Sequence, residues 1–237
     1  PRKTWRWKPL AALLGLLYLR AVVYWQIGSS VDWTPSLRLG TIAIPFRSDI
    51  FPRALVFSAL SFGLFLAVAY FWLLLVSLVN AREAEPDPVL RLLRLQLGPV
   101  DRWPWLVKLI APVAVAFLFW LALCPLLSEW QMVPHPLSLR HRLEEAGAVA
   151  LAAYLCWKYL LAGLLALYLL SNYVYLGQHA LWHFLALTGR NVLKPLRFLP
   201  LQFGKIDAAP ALGIALIIAA AQFAQKGLTA LYSHLPL

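Results

Sequence analysis

The sequence predicts an all-α, polytopic transmembrane helical protein of about five spans, with short amphipathic helices at the membrane interface. Three observations carry that prediction. Of 237 residues, 62% are hydrophobic and only 13% are charged, whereas about a quarter of a soluble domain is charged. One core of this size cannot hide so much apolar surface. The apolar residues also gather into runs near the roughly 20 residues that cross a bilayer as a helix, and none shows the alternating pattern of a transmembrane barrel.

The runs fall in order along the chain. Pro9 to Ser30 is interrupted only by Arg20. Arg2, Lys3, Arg6 and Lys8 precede it in the manner of a signal peptide, but the apolar stretch continues past Arg20 without a small-residue cleavage pattern. It reads as a retained signal-anchor helix. The only methionine is Met132, so Pro1 is not read as an initiator. Ala54 to Ala81 and Leu109 to Ser128 contain no charge, Ala146 to Gln178 contains only Lys158, and Ala208 to Gln225 contains none. The fourth run would be roughly 50 Å long as a helix, against a bilayer core of about 30 Å. A tilt, a kink or an interfacial start would reconcile the two lengths. The chain reads as a single membrane domain, 1–237. Within it stand an N-terminal span pair with a loose motif copy (1–80), a motif and span (81–128), and a span–motif–span unit (146–232).

The net charge of +11 fits this frame. Lys and Arg mark cytoplasmic loops and meet anionic headgroups, so nucleic acid is not an expected partner. Thirteen of them fall in the N-terminal segment and in the second and fourth loops, six on the other side. The asymmetry places the N-terminus in the cytoplasm and the C-terminus outside, in a bacterial inner membrane. Cys124 and Cys156 both lie in predicted spans, and no Cys/His spacing resembles a zinc site. No metal and no cofactor are expected.

The chain repeats a motif. Residues 90–104 (LRLLRLQLGPVDRWP) align without a gap on residues 196–210 (LRFLPLQFGKIDAAP), and eight of fifteen positions are identical. A looser third copy runs from Leu37 to Pro52 and includes Asp49. In the first copy Leu90, Leu93 and Leu97 share one helical face, with Arg91 and Arg94 on another. That is a short interfacial helix with arginines reaching for phosphate. Gly98 or Gly204 then permits a sharp turn. Asp101 or Asp207 follows, with Pro104 or Pro210 three residues later. Asp is a strong N-cap, and Pro in a first turn gives up a donor that has no intrahelical partner. The pattern therefore reads as the start of the next span, with direct ion or ligand binding by the aspartate as the competing reading.

Residues Asn191 to Pro200, containing Pro195, Leu196, Arg197 and Pro200, and then Gly204 to Pro210, resemble the motif of the YggT/YlmG family. The opening span, in which Arg20 precedes Trp25 by five residues, is also similar. Family members are small membrane proteins with tandem helix–motif–helix units. Phe198 stands where the family has a second arginine, and Val89 and Arg94 replace two prolines in the copy near residue 90. The resemblance implies a non-enzymatic accessory protein. Bacterial members are linked to cell division, envelope organisation and osmotic tolerance, and chloroplast relatives to haem attachment on cytochrome b.

Few residues suggest chemistry of their own. Arg20 and Lys158 lie inside apolar runs, where charges are costly and become functional suspects. An ion pair or lipid contact, snorkelling, and a transport role all fit Arg20. His179 and His183 stand i, i+4 and would share a helix face. They could hold a metal or haem, but beside Trp182 they read first as interfacial residues. Glu144 and Glu145 beside Arg140 and Arg142 read as a solvated helix start. No Ser–His–Asp set, carboxylate pair or phosphate-cradling loop stands out. The expected function is a membrane scaffold or accessory subunit that packs on other integral membrane proteins in a larger complex, with the lipid bilayer as its solvent. A small-solute or ion pathway and a haem assembly factor are the alternatives.

Overall fold

A computed structural model describes the chain apart from residues 1–6, 32–33, 41, 48, 82–86, 135–137, 175–176, 178, 197–201, 204–205 and 234–237. The protein is an all-α polytopic membrane protein. Among the described residues, five stretches are long and apolar enough to cross a bilayer: α1 (Trp7–Val31), α2 (Phe51–Val79), α4 (Trp105–Glu129), the near-continuous pair α5 (Leu139–Ala152) and α6 (Trp157–Tyr173), and α8 (Ala209–Ser233). Two shorter helices, α3 (Pro88–Leu97) and α7 (Ala180–Val192), accompany them. The strands are short: β1 (Ser36–Leu39) pairs with β2 (Ile42–Pro45), and β3 (Gln202–Phe203) with β4 (Ile206–Asp207), both antiparallel.

The chain divides into two compact units, residues 1–67 with 124–135, and residues 68–123 with 136–237. In the first, Ala21 of α1 is fully buried, and the Ser58 hydroxyl of α2 donates to the Leu17 carbonyl at 2.9 Å. Tyr24 and Phe46 both set their rings against Phe57, at 5.3 and 5.4 Å. The β1–β2 hairpin alternates, so Leu37, Ile42 and Ile44 point inward while Arg38 and Ala43 face out. Gly40, at φ 65°, sits in its two-residue connection, where a left-handed conformation suits strand twist. This hairpin occupies most of the loose third motif copy. Its Asp49 carboxylate pairs with Arg47 at 2.9 Å on the surface.

In the second unit, Val76, Leu90, Leu164, Phe184 and Leu185 form one core cluster, joining α2, α3, α6 and α7. A second cluster of Leu165, Tyr168 and Leu193 extends to Leu196 and to Ala209, Ile214 and Ile217 of α8. Gly189 of α7 lies so close to α6 that a Cβ there would stand 2.6 Å from Tyr168 Cγ.

The long fourth run is a helix interrupted by a 3-10 stretch, Ala153–Cys156. Its start lies seven residues before the apolar run, at Leu139, where the Ser138 hydroxyl accepts from the His141 amide. At the end of the interruption, Trp72 Nε1 donates to the Cys156 carbonyl at 3.1 Å. Phe71, Tyr154 and Trp157 pack their rings there within 4.8–5.7 Å. The expected solvated start at Glu144–Glu145 is half right. Arg140 and Glu144 form an exposed i, i+4 pair at 2.8 Å. Glu145 is instead only 3% exposed and faces Trp120 and His141, because it shares the buried face of α5 with Ala148, Val149 and Ala152.

Candidate functional site

The second unit carries a buried polar seam where α2, α3, α4 and α7 meet. It begins with α3, whose sequence marks its own start. Asp87 is the N-cap, its Oδ1 accepting from the Val89 amide at 2.9 Å, and Pro88 takes the first helical position. The other oxygen, Oδ2, lies 2.6 Å from His183 Nδ1 on α7. Asp87 is 2% exposed and His183 74%. One carboxylate thus caps one helix and ties it to another.

Asn80, fully buried just past α2, is the hub of the seam. Its amide donates to the Val76 carbonyl and to Thr188 Oγ1, and its side-chain oxygen accepts from Asn191 at 2.8 Å. Its backbone carbonyl accepts from Arg94 Nη2 at 3.1 Å. Arg94 Nε stands 3.8 Å from Asp101 Oδ2. Lys108, in the first turn of α4 and only 6% exposed, donates to Ser77 Oγ at 2.8 Å and lies 3.4 Å from Asp101 Oδ1. The Ser77 hydroxyl donates in turn to Asp101. Buried polar groups are tolerable when each has a partner, and this seam supplies them from four helices.

The motif residues take separate parts in it. Leu90 is buried in the first core cluster, and Arg91 is exposed. Arg94, expected beside Arg91 to reach for phosphate, turns inward to Asn80 and Asp101 instead. Gly98, at φ 57°, ends α3 with its amide on the Arg94 carbonyl and opens a 3-10 turn, Gly98–Arg102. Asp101 is a correction. It does not cap α4 but gives its carboxylate to Ser77 and Lys108, because the 3-10 turn carries it toward α2. Pro104, just before α4, is exposed.

The second copy takes a different backbone. Residues Lys194–Leu196 form a 3-10 turn containing Pro195, and Gln202–Phe203 form β3, whereas the equivalent positions of the first copy, 88–90 and 96–97, are α-helical. Pro195 and Pro200 stand where the first copy has Val89 and Arg94. Leu196 packs on the second core cluster. Arg197, Pro200 and Gly204 lie outside the described residues. Asp207 Oδ1 accepts from the Ala209 amide at 2.9 Å, at the start of α8, and Pro210 is buried in the first turn. Two aspartates equivalent in sequence therefore hold different partners.

His179 and His183 do not act as a pair. His179 is the N-cap of α7, its Nδ1 accepting from the Leu181 amide, while His183 turns to Asp87. Among the described residues, no group of three or more His, Cys, Asp or Glu is placed to hold a metal ion. Arg20 donates to Tyr24 Oη at 2.8 Å and to Ser61 Oγ at 3.0 Å. Lys158 lies over the Tyr159 ring, 4.9 Å from its centroid.

Sequence reasoning missed Ser77, Asn80, Asp87, Lys108, Thr188 and Asn191. Asp87-Pro88 was a readable helix start. Lys108 counted among loop charges, and nothing local marks Asn80 as the partner of a residue 108 positions away. No family model matches the chain, and neither does any curated protein or solved structure.

Proposed function

We propose that the protein is a non-enzymatic scaffold or accessory subunit of the YggT type, set in a bacterial inner membrane with its N-terminus in the cytoplasm, and packed on other integral membrane proteins. The observation that carries this reading is the contrast between its polar and apolar surfaces. The seam residues spend their hydrogen-bonding capacity on one another, which suits a rigid brace better than a site that binds and releases. The spans do the opposite. Only 6% of an 18-residue apolar stretch of α1 and 11% of such stretches of α4 and α8 are buried. Helix faces left open in this way suit lipid and neighbouring helices, and association in a bilayer rests on packing and interhelical hydrogen bonds.

The test is gentle purification from the native membrane followed by mass spectrometry of whatever remains bound. A reproducible stoichiometric membrane partner is the expected result. A clean homo-oligomer would remove the accessory reading and leave a flux pathway, to be sought in proteoliposomes with Arg20→Ala and Asp207→Asn as controls.

A further inference from the structure

Arg20 is the fourteenth residue of the 25-residue α1. A helix of that length rises about 37 Å, so Arg20 stands within about 2 Å of its midpoint. In a bilayer centred on α1, its Cα is about 15 Å from either headgroup region, farther than a snorkelling arginine reaches. Its two hydrogen-bond partners, Tyr24 Oη and Ser61 Oγ, are neutral, and the Tyr24 ring beneath it, 5.2 Å to the centroid, adds no charge. A guanidinium carries five N–H donors. Two are used, and three have no partner among the described residues.

Arg20 is also the centre of a stripe. Leu13, Leu16, Val23 and Ile27 are all exposed, and with Arg20 they repeat at intervals of three, four, three and four residues. That is the spacing of a seam along which a second helix packs. The inward face of α1, marked by Leu17, Ala21, Tyr24 and Gly28, is adjacent but distinct.

We infer that this stripe docks one transmembrane helix of a different membrane protein, and that the helix carries an aspartate or glutamate opposite Arg20. Charge complementarity fixes the chemistry: a bidentate carboxylate matches the free edge of the guanidinium and neutralises it where water cannot. A second copy of this chain does not supply it. Of the ten carboxylates in the sequence, eight lie between the long helices or at their ends. The remaining two are Glu144, already paired with Arg140, and Glu145, which is buried. The inference rests on the accessory-subunit reading and names the partner's chemistry.

The test places a photo-crosslinking benzophenone residue at Leu16 or Val23 of the full chain in its native membrane, with Leu14 as the off-stripe control. Both stripe positions should give an adduct with the same protein, mapping to a span that contains Asp or Glu, and Leu14 should not. The adduct should fall by roughly tenfold or more in Arg20→Ala and when the partner's carboxylate becomes an amide. Exchanging the two charges between the proteins should restore it. Arg20→Gln, which keeps a donor for Tyr24 and Ser61, separates loss of charge from loss of folding and should behave like Arg20→Ala. Adducts with lipid alone or with a second copy would overturn the proposal. So would a protein adduct that Arg20→Gln leaves unchanged, which spares the accessory reading. No protein adduct together with no co-purifying partner would sink both.

Discussion

At the scale of single residues, the contact between Lys108 and Asp101 is exacting because it buries a charge. Lys108 is nearly inaccessible, and among the described residues the only carboxylate it pairs with is Asp101. Removing one partner of a buried pair leaves the other charge stranded, whereas removing both does not. Asp101→Asn should therefore lower stability by on the order of 3 kcal/mol, and Lys108→Met added to it should recover most of the loss. Unfolding in detergent micelles across the four-member mutant cycle measures the coupling, and additive effects would mean the pair is incidental. Steric constraint is as local. At Gly189 a methyl group would meet Tyr168 Cγ at 2.6 Å and Cβ at 2.8 Å, the base of a ring that cannot swing aside. Gly189→Ala should cost about 1–3 kcal/mol, as overpacked cores do. Gly213→Ala meets the methyl ends of Leu193 and Leu165 at 2.9 and 3.0 Å, which can rotate away, so the same assay should show a smaller loss.

At the scale of elements, α3 is held by what its sequence places at its ends. Asp87 caps it, Gly98 releases it, and Leu90 and Leu97 bury its inner face, while Leu92 and Leu95 remain exposed on the outer one. Asp87→Ala should remove both the cap and the tie to α7, costing about 1 kcal/mol and raising hydrogen exchange at Val89 to Arg91. His183→Ala leaves the cap in place and removes a contact whose histidine is mostly exposed, so it should cost clearly less. Equal effects would place the tie, not the cap, in control. The spans themselves were legible because charge-free runs of bilayer length have few other uses. The start of α8 was legible too, since Asp207 reaches the first-turn amide of Ala209. The repeat was legible as letters but not as backbone: positions 88–90 open an α-helix, while their equivalents Lys194–Leu196 form a 3-10 turn. The seam was not legible, because its members sit on four helices and are joined by packing that no local pattern records.

At the scale of the whole molecule, the proposed topology of five spans with the N-terminus in the cytoplasm puts the two termini on opposite sides of the membrane, and it rests on the distribution of arginine and lysine. The loops that carry Arg91, Arg102 and Arg190 are the more basic ones, and that topology puts the segment with Arg38 and Arg47 across the bilayer from them. Arg91, Arg102, Arg38 and Arg47 are exposed side chains outside the five spans. Single cysteines there, in a Cys156→Ser background, should react with an impermeant thiol reagent in two groups. Cys124 is fully buried and can stay. Positions 38 and 47 should label in intact spheroplasts, and positions 91 and 102 only after the membrane is opened. Labelling of all four from outside would mean that α2, the one long helix between the two groups, fails to cross. The opposite grouping would invert the protein, placing the polar seam and its basic flank away from the cytoplasmic leaflet, whose anionic lipids are the natural counter-charge for Arg91 and Arg102.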